Sequence, residues 1–89
     1  MSQISVTLDA IDQLLKELSE QQRTTLLNLG RRIVPTLTGE DLLQPNDYLE
    51  LEGHPEFRYE EGLLAGIESC RIALKSAVRQ SHLSNRPGM

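Results

Sequence analysis

Residues 55–80 read PEFRYEEGLLAGIESCRIALKSAVRQ, and this stretch decides the fold. Pro55 suits the first position of a helix, where its missing amide costs nothing, and Glu56 lies beside the positive end of the helix dipole. Downstream, Leu63, Ile67, Cys70, Leu74 and Val78 recur at steps of four and three, the spacing of one helix face. Beside them runs a ridge of small residues, Gly62, Gly66, Cys70, Ala73 and Ala77. The spacing predicts a helix from Pro55 to about Gln80, with residues 81–89 fraying beyond it. Each helix-interior glycine costs about 0.8–1 kcal/mol relative to alanine, so Gly62 and Gly66 imply a compensating contact. The expected contact is a close crossing by the chain's own first helix; a crossing by a partner chain is the alternative.

Working towards the N-terminus, Ile4, Leu8, Ile11, Leu15 and Leu18 fall on one helix face. Ser5 or Thr7 can supply the capping oxygen, and Asp9 and Asp12 favour the helix start. Ser19-Glu20-Gln21-Gln22 fits a capping box, from which a second helix carrying Leu26, Leu29 and Ile33 would begin, flanked by Leu27 and Val34. Pro35 ends it, because proline disfavours helical geometry in the residue before it. One long helix and two collinear short ones are equally compatible with residues 7–34.

Residues 35–55 hold three of the four prolines together with Gly39 and Gly53, so no long helix runs through them. Leu37, Leu42, Leu43, Tyr48, Leu49 and Leu51 are too apolar for a solvated tether, and this connector should pack on the helices. Thr38-Gly39-Glu40-Asp41 reads as a capping box opening a single turn that Pro45 ends, and Asn46-Asp47 suits a turn or a further cap.

A chain of 89 residues makes one domain. It has no Trp, one Phe and two Tyr, so its core must be thin and aliphatic. Leu, Ala, Ile, Glu, Gln and Arg outweigh Val, Thr and aromatics, which favours helix over sheet. No apolar run approaches the roughly 18–20 residues that cross a bilayer, and residues 1–9 lack the pattern of a secretory leader. The single cysteine, Cys70, excludes an intrachain disulfide and a cysteine-rich metal site, so a reducing cytoplasm is the expected compartment.

The net charge is −4, unevenly spread. Residues 40–61 carry eight acids, including Glu40, Asp41, Asp47, Glu50 and Glu52 of the connector, against Arg58 alone. From Gly62 onward, Arg71, Lys75, Arg79 and Arg86 face only Glu68. This asymmetry predicts that the acidic middle folds back along the basic end of its own chain. A nucleic-acid interface is disfavoured, since the basic residues are scattered and only Arg31-Arg32 and the row Arg71, Lys75, Arg79 form patches.

His54, Glu56, Arg58, Glu60 and Glu61 make the densest group of functional side chains. Glu56 and Glu60 share one helix face, and Arg58 and Glu61 another. Carboxylates so placed can hold a divalent cation or divide acid and base roles when other elements add ligands or burial. The plainer role is a dipole-favoured first turn anchored by Phe57 and Tyr59. Glu17 and Glu20, a Glu-x-x-Glu spacing, resemble one element of the magnesium site of all-helical nucleotide pyrophosphatases, although the denser EExxE and the later ExxD of those enzymes are missing. Ile11-Asp12 and Arg58-Tyr59-Glu60 resemble the layout of small helical chorismate mutases. The arginine and lysine that such a pocket needs are absent, leaving Arg31, Arg32 and Arg58 as the available cations. Cys70 lies on an apolar stripe, where cysteine behaves as a small hydrophobe.

The sequence therefore predicts an all-α antiparallel helical hairpin or three-helix unit with a long ordered connector, assembling into a bundle. Apolar surface left over by two helices, including Leu14, Leu27, Val34, Leu64 and Ile72, calls for a second copy or another protein as partner. The expected function is a cytoplasmic interaction module, an adaptor, chaperone-like or regulatory subunit. It would act through packing at Gly62, Gly66, Ile67, Cys70, Ala73, Leu74 and Ala77 and through the acidic connector. No catalytic residue, metal or cofactor is assigned. The alternative is a small helical enzyme or metal-binding protein using the cluster from His54 to Glu61.

Overall fold

A computed structural model describes residues 7–84, with side chains up to residue 80. Ile4, Ser5 and residues 85–89 lie outside it. Every regular element among the described residues is helical: α1 (Leu8–Ile33), two 3₁₀ turns (Glu40–Leu43 and Pro45–Asp47), a one-turn helix α2 (Leu49–Glu52), and α3 (Pro55–Ser84).

Helix α1 is one continuous helix, which settles the choice left open by its sequence. Thr7 Oγ1 accepts the Ala10 amide at 3.0 Å and caps its start. At its other end Val34 leaves helical geometry while its amide still donates to the Gly30 carbonyl at 2.7 Å. Ser19 and Gln22 do not open a second helix. Ser19 Oγ instead donates to Glu68 Oε2 at 3.4 Å, and Gln22 Nε2 donates to the Glu60 carbonyl and to Glu60 Oε2, each at 3.0 Å. With Arg71 bonded to Asp12, later residues of α1 meet earlier residues of α3, so the two helices run antiparallel as a hairpin.

The connector packs as its leucines predict. Leu37 and Leu51 are fully buried together with Phe57 of α3, and they close a core with Leu26 and Leu29 of α1. Gly30 makes this possible, because a Cβ there would collide with the Leu37 side chain and lie 3.4 Å from Phe57 Cε1. Arg31 Nε then donates to the Leu37 carbonyl at 2.8 Å and ties the connector to the end of α1. The box at Thr38–Asp41 forms reciprocally: Asp41 Oδ2 accepts the Thr38 amide at 2.8 Å, and Thr38 Oγ1 accepts the Asp41 amide at 3.3 Å. Leu43 and Leu49 remain exposed at 76% and 78%.

Helix α3 starts at Pro55, with His54 Nδ1 accepting the Phe57 amide at 3.2 Å as the cap. It continues to Ser84, four residues beyond the expected end, so residues 81–84 extend the helix rather than fray from it. The radius of gyration, 17.9 Å, exceeds the roughly 12 Å of a globular chain of this length. The molecule is an elongated hairpin whose apolar core lies at the closed end.

Candidate interaction surface

The seam between the helices follows only part of the apolar stripes and leaves Leu18, Leu63 and Cys70 outside it. In α1 it passes through Asp12, Leu15, Ser19, Gln22, Leu26 and Leu29, all buried or half-buried. In α3 it passes through Phe57, Glu60, Leu64, Ile67, Arg71, Leu74 and Val78, again all buried or half-buried. Steps of three and four along both helices give the packing geometry of an antiparallel pair, but its middle is polar. Arg71 Nε donates to Asp12 Oδ1 at 3.2 Å, and this hydrogen bond holds the Asp12 carboxyl below the usual carboxylate range, against partial burial and with help from the charges of Arg71, Lys75 and Lys16. Arg23 pairs with Glu68 at 2.9 Å beside the seam.

Rotation of the seam leaves apolar side chains outside it. Leu14, Leu18 and Leu63 are 56%, 40% and 41% exposed. Gly66, Cys70, Ala73 and Ala77 are exposed too, and a Cβ at Gly62 or Gly66 would meet nothing within 4 Å. Helix α1 therefore does not cross the small-residue ridge, contrary to expectation; Ser19, Gln22 and Asp12 draw it to the neighbouring polar seam. Ile67 and Leu74 are the two predicted packing residues that reach the seam, both half-buried. Leu27, Val34 and Leu64 pack partly against the core, while Ile72 stays 70% exposed.

These exposed residues share one side of the hairpin. Residues advance about 100° each around a helix. Arg23 and Glu68, which touch, mark one flank of the seam on α1 and α3 respectively. Leu14 and Leu18 fall on the opposite flank of α1, and Leu63, Cys70 and Ala77 on the opposite flank of α3. In an antiparallel pair these two flanks lie on the same broad face. Along it, no charged residue occurs from Tyr59 to Ala77 of α3 or from Ile11 to Thr25 of α1.

The cluster at the start of α3 is engaged internally. Arg58 donates to the Glu52 carbonyl at 2.9 Å, to Glu61 Oε1 at 2.8 Å and to Asn46 Oδ1 at 3.2 Å, clasping the connector onto α3. His54 serves as the cap, Glu60 accepts from Gln22, and Glu56 is exposed. A ligand there would have to displace Arg58 from three partners. Among the described residues no three His, Cys, Asp or Glu side chains converge to hold a metal ion.

The acidic connector sits at the closed end, next to the acidic first turns of α3 and not along the basic end. Glu40, Asp47, Glu50 and Glu52 are exposed, while the half-buried Asp41 has its carboxyl held low by the Thr38 amide and then by the Thr38 hydroxyl. The basic half of α3 instead reaches α1 through Arg71. No helix among the described residues is long and apolar enough to cross a membrane. Comparison with models of protein families, with curated proteins and with solved structures finds no match to this chain.

Proposed function

We propose that this chain is a small cytoplasmic protein–protein interaction module, an adaptor, chaperone-like or regulatory subunit, that docks through the uncharged face of its hairpin. The observation that carries this reading is the exposure of Leu14, Leu18 and Leu63 together beside an unoccupied row of small residues. A contiguous apolar patch on a small chain marks an association surface, because covering it removes apolar area from water. The exposed carboxylates of the connector supply a second, acidic surface at the closed end, suited to steering a basic partner. The single exposed thiol suits a reducing compartment.

The test compares the wild type with a Leu14→Glu/Leu63→Glu variant by circular dichroism, sedimentation equilibrium and binding of an apolar fluorescent dye. The variant should keep its helix content, because both side chains project from the fold. The wild type should associate or, where monomeric, brighten the dye, and the variant should do neither. A monomeric wild type no brighter with dye than the variant would overturn the reading.

A further inference from the structure

We infer that the occupant of the apolar face is a second copy of this chain, seated antiparallel about a two-fold axis at the level of Cys70. This rests on the interaction reading above and names its partner. An isologous contact requires one surface to complement itself, and this face does so on both helices at once. On α3, a dyad at Cys70 sets Leu63 opposite Ala77 of the second copy and Gly66 opposite Leu74, a large side chain against a small one at each step. On α1, Ile11 and Leu18 straddle a centre between Leu14 and Leu15, so a dyad there sets Ile11 opposite Leu18 of the second copy.

The two centres coincide along the hairpin. The contacts Arg71–Asp12 and Gln22–Glu60 set the register, and they bring Leu14 within about half a helical turn of Cys70. Nothing in the spacing of either helix alone requires that agreement.

Charge points the same way. The first half of α3 carries Glu56, Glu60, Glu61 and Glu68 against Arg58, and the second half carries Arg71, Lys75 and Arg79. These charges lie in the seam and mostly on the flank away from the apolar face, so they act on the second copy only at longer range; there antiparallel pairing brings the acidic half of each α3 over the basic half of the other, and a parallel pairing of the two would set like over like. Cys70 lies close to the midpoint of Pro55–Ser84, so the overlap of α3 with its copy is nearly complete. At 1.5 Å per residue and about 9 Å of width per helix, α3 overlaps its copy over about 45 Å and α1 over about 20 Å, about 580 Å² per partner, which clears the roughly 1,000 Å² total of a specific interface. The product is an all-antiparallel assembly, four helices wide around the dyad, in which the polar seam of each hairpin is flanked by a new apolar layer.

Cysteine cross-linking reads this geometry directly. Diamide, which takes two electrons and two protons from a pair of thiols, should convert wild-type dimer to a disulfide-linked dimer through Cys70, and Cys70→Ser should abolish it. In the Cys70→Ser background, Leu63→Cys and Ala77→Cys should each fail to cross-link alone, because like positions lie about seven residues from the dyad on opposite sides, about 21 Å apart. Mixed together they should give a covalent heterodimer. A dimer by sedimentation that forms neither the Cys70 bond nor the mixed bond would overturn the proposed dyad while leaving the interaction reading intact. A monomer at every concentration would overturn self-association, and dye binding by that monomer then decides the interaction reading separately.

Discussion

Arg71 reaches Asp12 across 59 residues of chain, its Nε 3.2 Å from one carboxylate oxygen and its Nη2 3.5 Å from the other. Among the described residues it is the salt bridge nearest the open end of the hairpin, beyond the buried core of Leu26, Leu29, Leu37, Leu51 and Phe57. It joins half-buried Leu15, Leu74 and Val78 in holding that end together.

A pH dependence follows. The native carboxyls of Asp12 and Asp41 are both depressed, by the Arg71 hydrogen bond and by the Thr38 amide respectively. A depressed native value means that the unfolded chain binds the proton first, so the contribution is complete above about pH 4 and is lost as pH falls through the native values. Thermal midpoints recorded from pH 6 to pH 2 should drop in this acid range, and Asp12→Asn should flatten part of the drop. An unchanged profile in Asp12→Asn would count against the contact with Arg71.

Glycines on opposite sides of the molecule should respond with opposite sign. Gly30→Ala places a methyl group against buried Leu37, where overpacking of about 1–3 kcal/mol outweighs a gain in helix preference of up to about 1 kcal/mol. Gly66→Ala meets open space and should stabilise the dilute monomer by about 0.8–1 kcal/mol. Urea denaturation distinguishes the two, and at high concentration Gly66→Ala should also weaken association.

Phe57 is the only phenylalanine and is completely buried where α1, the connector and α3 meet. Its truncation to alanine should cost about 3–5 kcal/mol, a large share of the stability of so small a chain. Loss of cooperative thermal unfolding is the expected result, and a midpoint within a few degrees of wild type would contradict the packing described.

Arg58→Ala removes the donors that reach Glu52, Glu61 and Asn46. Helix content should hardly change, because α3 keeps its His54 cap. Amides of residues 46–53 should exchange with solvent faster, which native-state hydrogen exchange would detect against unchanged rates in the middle of α1.

Local chemistry made the element limits legible: Thr7, Pro35 and Pro55 mark them, and the Thr38–Asp41 box and the leucines of the connector act as their types suggest. The choice of seam was not legible from apolar spacing. Leu18 and Leu63 belong to the apolar stripes, yet Asp12, Ser19 and Gln22 find Arg71, Glu68 and Glu60 and share the seam with the remaining leucines. Such pairing belongs to two helices together, so the hydrophobicity of either one misses it. A search for complementary polar residues at matched steps along antiparallel helices would have found it. For the same reason α1 does not cover the small residues of α3, where a crossing was expected.

Connecting segments usually accept insertions, because they contribute little beyond joining their neighbours. Here Leu37 and Leu51 supply two of the five buried apolar side chains among the described residues, one on each side of the exposed turns. Lengthening the chain next to either leucine would pull it from its seat, whereas exposed Leu43 and Gln44, at the junction of the two 3₁₀ turns, offer the place where a reporter peptide can be spliced without touching the interior. The bend of this hairpin is thus its keystone, and the long straight helices are the parts that depend on it.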